Sequence, residues 1–105
     1  MLELQYFEGC PNAKATLDNL KAFMDERNFS DELKITEIKD ISEAEELNFQ
    51  GSPTVLFDGK DIYTEAAPSS YNYTCRIYVI EGKQTGVLSK DYIVMKLKKM
   101  VKKNE

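Results

Sequence analysis

The first cysteine of the chain, Cys10, lies where a short apolar segment ends and a segment with helical periodicity begins. Gly9 precedes it, and Pro11 after it suits the first helical position, which needs no amide hydrogen. Unpaired backbone N–H groups and the positive end of the helix dipole favour a thiolate there, and Lys14 adds a positive charge one turn on. The negative charge of Glu8 disfavours the thiolate. The pattern predicts a nucleophilic cysteine, and the alternative is an inert packing residue.

The composition restricts which chemistry this thiol can perform. The 105 residues include two cysteines, Cys10 and Cys75, and no histidine. Without histidine the usual general base near neutral pH is missing, which excludes Ser-His-Asp and Cys-His-Asn hydrolases. Two cysteines are too few for a disulfide-stapled secreted domain or a four-ligand zinc site. We therefore expect one domain over 1–105, with no metal and no resident cofactor.

The charge and hydropathy of the chain indicate which partners it binds and where in the cell it is located. The formal net charge is -4 and the pI about 4.9, so we expect no general affinity for nucleic acid or for an anionic membrane. No apolar run approaches the roughly 20 residues of a bilayer span, and the first residues lack the features of a signal peptide. These patterns predict a soluble cytoplasmic protein.

Hydrophobic periodicity predicts the elements that position Cys10. A strand is expected over 2–7, a helix from 11 to about 28 and a second strand over 33–38, with a polar break at 30–32. Ser42, followed three residues later by Glu45, predicts a capping box that opens a short helix ending near residue 48. The first half therefore has the order βαβα.

The second half is predicted to complete the sheet. A buried strand is expected over 54–57, followed by a tight turn at Asp58-Gly59. Residues 65–74 lack periodicity and indicate a loop, 75–80 are expected to form a further strand, and Ser89 is expected to cap a last helix. The whole is an α/β fold of order βαβαββα, with a mixed four- to five-stranded sheet flanked by helices.

A second informative segment, Gly51-Ser52-Pro53-Thr54, stands immediately before the strand at 54–57. Proline cannot donate a ladder hydrogen bond, so Pro53 fits the first position of a strand or a bulge. Taken alone, the segment indicates only the start of a strand.

A thiol at the start of the first helix, a βαβ crossover and a proline entering the next strand together resemble the thioredoxin superfamily over the whole chain. More narrowly, residues 6–12, 51–54 and 74–78 are similar to small bacterial thioredoxin- and glutaredoxin-like proteins with a Gly-Cys-Pro-Asn motif, some loosely named after alkylmercury lyase. The resemblance implies that Pro53 is cis and faces the active cysteine. It also implies that backbone groups of Ser52 and Thr54 pair with an extended substrate or a glutathione moiety.

The chain departs from the family at the Cys-x-x-Cys motif, since Cys10-Pro11-Asn12-Ala13 has alanine at the second cysteine position. Ala13 cannot resolve a mixed disulfide. In one route, Cys75 resolves after the loop returns it to the active-site end. In the other, Cys10 is a monothiol, and glutathione or another low-molecular-weight thiol resolves as co-substrate. The alternative for Cys75 is a buried small residue that opens a strand.

Three functions stay open on these residues. The leading expectation is a thiol-disulfide oxidoreductase or thiol-transfer protein, with Cys10 and Cys75 catalytic and Pro11, Ser52, Pro53 and Thr54 binding the substrate. Its partners would be a disulfide-containing protein or a small-molecule thiol. The alternatives are a non-catalytic thioredoxin-like binding module and a soft-metal carrier that uses the two thiolates. Arg76 is expected either to bind a substrate carboxylate or to be an exposed strand residue.

Overall fold

The chain alternates strand and helix through its first half and then forms four short strands before a last helix. The computed structural model describes residues 1–29 and 32–103, so the expected polar break at 30–32 lies largely outside the described residues. The elements are β1 (Leu2–Tyr6), α1 (Pro11–Glu26), β2 (Leu33–Glu37), α2 (Ile41–Leu47), β3 (Thr54–Phe57), β4 (Lys60–Asp61), β5 (Tyr78–Ile80), β6 (Lys83–Thr85) and α3 (Lys90–Lys103).

Four of the strands form one mixed sheet in the order β2-β1-β3-β4. The strands β1 and β2, joined through α1, are parallel, with Leu4 opposite Ile35. The strand β3 is antiparallel to β1, with Leu4 opposite Val55, and β4 is antiparallel to β3. The Asp58-Gly59 turn between β3 and β4 has positive φ angles of 50° and 82°, the backbone that tight hairpins favour. The predicted α/β fold with a mixed sheet is confirmed.

The prediction of a strand over 75–80 is wrong in the length of the strand and in the strand it pairs with. Only Tyr78–Ile80 form a strand, and they pair with Lys83–Thr85 in a separate two-stranded sheet. Glu81-Gly82 repeats the positive-φ turn, with angles of 53° and 77°, and so closes this local hairpin. The element order is therefore βαβαββββα, and β4 is the fourth strand of the main sheet.

The sequence predicted the N-cap of α3 correctly but misplaced the N-cap of α2. The helix α2 begins after Asp40, whose carboxylate accepts the Glu43 N–H at 2.8 Å, while the Glu43 carboxylate accepts the Lys39 N–H at 2.9 Å. The predicted box at Ser42 is thus misplaced by two residues, because aspartate is also a strong N-cap. The cap at Ser89 is confirmed, since its hydroxyl accepts the Tyr92 N–H at 3.1 Å.

The main hydrophobic core holds α1 and α3 against the sheet. Its buried members are Leu2, Leu4, Leu20, Phe23, Val55, Phe57, Ile62, Tyr78, Leu88, Ile93, Leu97 and Met100. A smaller cluster joins Ala44 of α2 to Ile38 and Phe49, with Phe7 and Tyr73 packed against it. The main core therefore fixes α1 and α3 relative to β1 and β3. None of the helices in the described part of the chain is long and apolar enough to cross a membrane.

Candidate active site

Cys10 is the N-cap residue of α1 and Pro11, exposed, follows at the first helical position. The Cys10 carbonyl accepts the Ala13 N–H at 3.3 Å, whereas its thiol points away from the helix and donates to the Ser52 carbonyl at 3.6 Å. Cys10 is only 8% exposed. The first turn of α1 carries no acidic side chain, so nothing in that turn offsets the positive end of the helix dipole beside the sulfur.

The turn before Cys10 ties the end of β1 to the segment that contains Ser52. Gly9 has a φ of 90°, which favours glycine, and the Cys10 N–H donates to the Phe7 carbonyl at 3.4 Å. The Phe7 N–H donates to the Ser52 hydroxyl at 3.3 Å. Phe7 thus links Cys10 to Ser52 through these two hydrogen bonds, in addition to the contact of the thiol.

Ser52, Pro53 and Thr54 are buried, and the Ser52–Pro53 peptide bond is cis. The Ser52 N–H donates to the Thr74 carbonyl at 2.9 Å, and the Ser52 carbonyl accepts the Arg76 N–H at 2.9 Å. The expectation of free Ser52 backbone groups is therefore wrong, because residues 74–76 of the chain itself occupy them. Thr54 belongs to β3, and its backbone pairs with Gln5 of β1.

The same pairing brings Cys75 directly opposite Ser52 in an isolated parallel bridge. Cys75 is exposed and lies outside any strand, so its interpretation as a buried strand residue is wrong. Desolvation raises the pKa of the Cys75 thiol, and the neighbouring Cys10 sulfur raises it further through its charge and a hydrogen bond. The structure thus brings together the two cysteines, which are 65 positions apart in the sequence (75 − 10 = 65).

Arg76 anchors the segment that carries Cys75. Its guanidinium lies 2.7 Å from the Asp61 carboxylate, and the two side chains are only 9% and 2% exposed. It also donates to the Thr54 hydroxyl at 3.2 Å and lies over the rings of Tyr63 and Tyr78, at 5.3 and 4.6 Å from their centroids. Both expectations for Arg76 are therefore wrong, since its side chain is buried and already paired with a carboxylate of this chain.

Asp61, which belongs to this anchor, was not singled out from the sequence. Asp61 binds Arg76 and also accepts the Tyr63 N–H at 2.9 Å. The Tyr78 hydroxyl donates to the Pro53 carbonyl, and burial raises its pKa. An acidic residue two positions after Gly59, beside the apolar Ile62, was the one available signal for the buried carboxylate.

Gly51 provides the space in which residues 74–76 approach Ser52. Its φ is 111°, and a Cβ there would lie 3.0 Å from both the Arg76 Cβ and the Thr74 carbonyl oxygen. We expect Gly51→Ala to lower the free energy of unfolding by about 3 kcal/mol, through backbone strain and crowding. Gly59→Ala is the matched control, because its φ is 82° but its Cβ would meet no described atom within 4 Å.

Chemical unfolding of both glycine variants tests this account. Gly59→Ala should lose only about 1 kcal/mol, the cost of the left-handed backbone. Equal losses in the two variants would contradict the close approach of residues 74–76 to Gly51.

Two openings flank the pair of cysteines. One is a cavity of about 240 Å³ on the Cys10 side, lined by Leu4, Tyr6, Phe7, Glu8, Gly9, Cys10, Ala13, Lys14, Leu17 and Ile35. The other, of about 320 Å³, is on the Cys75 side and is lined by Asn12, Cys75, Arg76, Ile77, Gln84, Thr85 and Gly86. Each cysteine therefore borders a different opening.

Comparison with family models, with curated proteins and with solved structures found no match for this chain. Within residues 1–29 and 32–103, no group of three or more histidine, cysteine, aspartate or glutamate side chains is arranged to hold a metal ion. The fold and the site thus define a small α/β protein in which two cysteines adjoin at the end of a mixed sheet.

Proposed function

We propose that this protein is a thiol-disulfide oxidoreductase with a thioredoxin-like fold, in which Cys10 attacks and Cys75 resolves. The observation that carries the proposal is the juxtaposition of the two thiols at Ser52, through the Cys10 hydrogen bond and the Cys75 bridge. The sheet order β2-β1-β3-β4 and the cysteine at the start of α1 support the fold assignment. Cys75 would resolve the mixed disulfide, which Ala13 at the second cysteine position of the motif cannot do.

The reaction has two exchange steps. The Cys10 thiolate attacks one sulfur of a disulfide R–S–S–R′, a Cys10–S bond forms, and R′–S⁻ leaves and takes a proton from solvent. The Cys75 thiolate then attacks the Cys10 sulfur, the Cys10–Cys75 bond forms, and R–S⁻ leaves and is protonated. The substrate gains two electrons and the protein loses two. Glutathione or another low-molecular-weight thiol would restore the reduced protein.

The electrostatics of the pair favour this order of events. The raised pKa of Cys75 makes it the weaker candidate for the first attack, which falls to Cys10 beside the positive end of the α1 dipole. Once Cys10 is in a mixed disulfide, it no longer carries a charge that raises the pKa of Cys75. The resolving thiol therefore becomes more acidic after the first step and before the second.

This coupling predicts a pH effect in Cys10→Ala. Removing the Cys10 sulfur removes its charge and its hydrogen bond, so the pKa of Cys75 should fall towards its ordinary range. The initial rate of Cys75 alkylation by iodoacetamide, followed by site-resolved mass spectrometry, should then rise at a lower pH than in the wild type. Superimposable pH profiles would contradict the coupling.

The proposed reaction is tested by trapping its intermediate in Cys75→Ser. Treated with a disulfide, this variant should release one equivalent of thiol and hold the other half of the substrate on Cys10. Intact mass spectrometry should show the adduct, whereas the wild type should release two equivalents and show none. An adduct that persists equally in the wild type would remove Cys75 from the mechanism.

Carriage of a soft metal ion is a second candidate that the same juxtaposition favours. Two adjoining thiolates suit a two-coordinate soft ion such as Hg(II) or Cu(I). A carrier would bind one equivalent of the ion through both cysteines and would reduce no disulfide. Retention of the ion by Cys75→Ser with undiminished affinity would count against it.

A further inference from the structure

We infer that the substrate of this dithiol site is a small disulfide with an uncharged apolar group, and not an extended polypeptide. The inference rests on the proposed function and specifies its substrate class. It combines two observations, the occupied backbone groups of Ser52 and the cavity that ends at Cys10.

The backbone of Ser52 is the place beside Cys10 where an extended peptide would add as a strand. Its N–H and its carbonyl are already bonded to Thr74 and Arg76, each at 2.9 Å. A polypeptide substrate would therefore have to displace the segment of the chain that carries Cys75.

Such a displacement is opposed by the anchor of that segment. Withdrawing Arg76 would leave the Asp61 carboxylate buried without its 2.7 Å partner, and an uncompensated buried charge is costly. It would also detach the segment from Gly51, where an added Cβ would lie only 3.0 Å from Arg76 and Thr74 atoms. Residues 74–76 are thus a fixed part of the site, and they keep the resolving thiol beside Cys10.

The cavity beside Cys10 has the size and the lining for a small apolar group. Its volume of about 240 Å³ exceeds that of engineered apolar cavities of about 150 Å³ that bind benzene. Leu4, Leu17 and Ile35 contribute apolar walls from the sheet and from α1. The Lys14 ammonium is paired with the Asp18 carboxylate at 3.2 Å and Glu8 is exposed, so the cavity offers no unpaired positive charge to a ligand with several carboxylates such as glutathione disulfide.

In the reaction, the apolar group R occupies this cavity and presents its sulfur to Cys10. The Cys10–S bond forms on that sulfur, and the second sulfur leaves as a thiolate that solvent protonates. The Cys75 thiolate then attacks the Cys10 sulfur, the Cys10–Cys75 bond forms, and R–S⁻ leaves and takes a proton. An external dithiol such as dithiothreitol re-reduces the Cys10–Cys75 bond and supplies the two electrons.

The test compares how fast the protein reduces 2,2′-dipyridyl disulfide, glutathione disulfide and insulin. Each rate is divided by the rate at which a free thiol reduces the same disulfide under the same conditions. Ile35→Glu places a charge on the cavity wall at a residue that is 46% exposed, so the fold is retained. Ile41→Glu is the matched control, 60% exposed and outside the cavity lining.

We expect the largest normalised rate for dipyridyl disulfide, and we expect Ile35→Glu to lower that rate by at least about tenfold while Ile41→Glu leaves it unchanged. A normalised rate with insulin or glutathione disulfide that equals or exceeds it, or an unaffected Ile35→Glu, would overturn the inference and leave the proposed function standing. Failure of Cys10 to react with all three disulfides would overturn the proposed function itself.

Discussion

Replacing Cys10 by serine should lower disulfide reduction by at least about 1,000-fold, because it removes the attacking sulfur. A serine hydroxyl at this position has no histidine to act as its base, since the chain contains none. The rate is measured as turnover of a disulfide with dithiothreitol as the reductant. The loss should appear in turnover and in the first release of thiol alike.

The serine variant needs a check that the fold is intact. Serine is close in size to cysteine and can donate to the Ser52 carbonyl, which accepts the Cys10 thiol at 3.6 Å. The far-UV circular dichroism and the urea midpoint should therefore match the wild type closely. A folded Cys10→Ser protein that keeps most of its reductase activity would contradict the assignment of Cys10.

The second large effect is expected at Arg76. Replacing it by methionine leaves the Asp61 carboxylate, 2% exposed, without its charged partner, and breaking a buried ion pair in this way costs about 3–5 kcal/mol. The substitution also removes the contacts with the Tyr63 and Tyr78 rings. Urea unfolding of the reduced protein should show this loss of stability.

A double variant separates the buried charge from the lost packing. In Arg76→Met with Asp61→Asn, no charge is left unpaired, and the asparagine oxygen can still accept the Tyr63 N–H. The double variant should therefore recover most of the stability lost in Arg76→Met. A loss below about 1 kcal/mol in the single variant would mean that the pair does not behave as a buried one.

The elements nearest the candidate site carried strong local signals in the sequence. The first helix was indicated by Gly9, Cys10 and Pro11, and the strand at 54–57 by its continuous apolar run. The turn at Asp58-Gly59 and the cap at Ser89 depend on residues within a few positions of each other. Such features follow from local backbone preferences, which is why they could be predicted.

The features that were missed depend on contacts between distant parts of the chain. Residues 75–77 alternate between apolar and polar side chains and lead into an apolar run, which is the pattern of a strand. In the structure they form an irregular segment, because they bond to the Ser52 backbone and Arg76 pairs with Asp61. The hydrophobic periodicity of the sequence does not indicate these distant partners. The position of Cys75 opposite Ser52 could therefore not be predicted from the sequence.

The occupied Ser52 backbone also bears on the alternative of a non-catalytic binding module. Such a module would recognise its partner through the groove beside the cysteine, and residues 74–76 already fill the hydrogen-bonding positions there. Binding by a module would survive replacement of either cysteine. The proposed oxidoreductase requires both.

The most direct measurement is the product of mild oxidation of the reduced wild-type protein with one equivalent of a small disulfide. We expect an intramolecular Cys10–Cys75 bond, with a loss of about 2 Da, at a rate of closure that does not depend on protein concentration. Peptide mapping would identify the bond, and Cys10→Ser and Cys75→Ser would each fail to form it. A stable mixed disulfide on Cys10 beside a free Cys75, or a dimer linked between chains, would contradict the account.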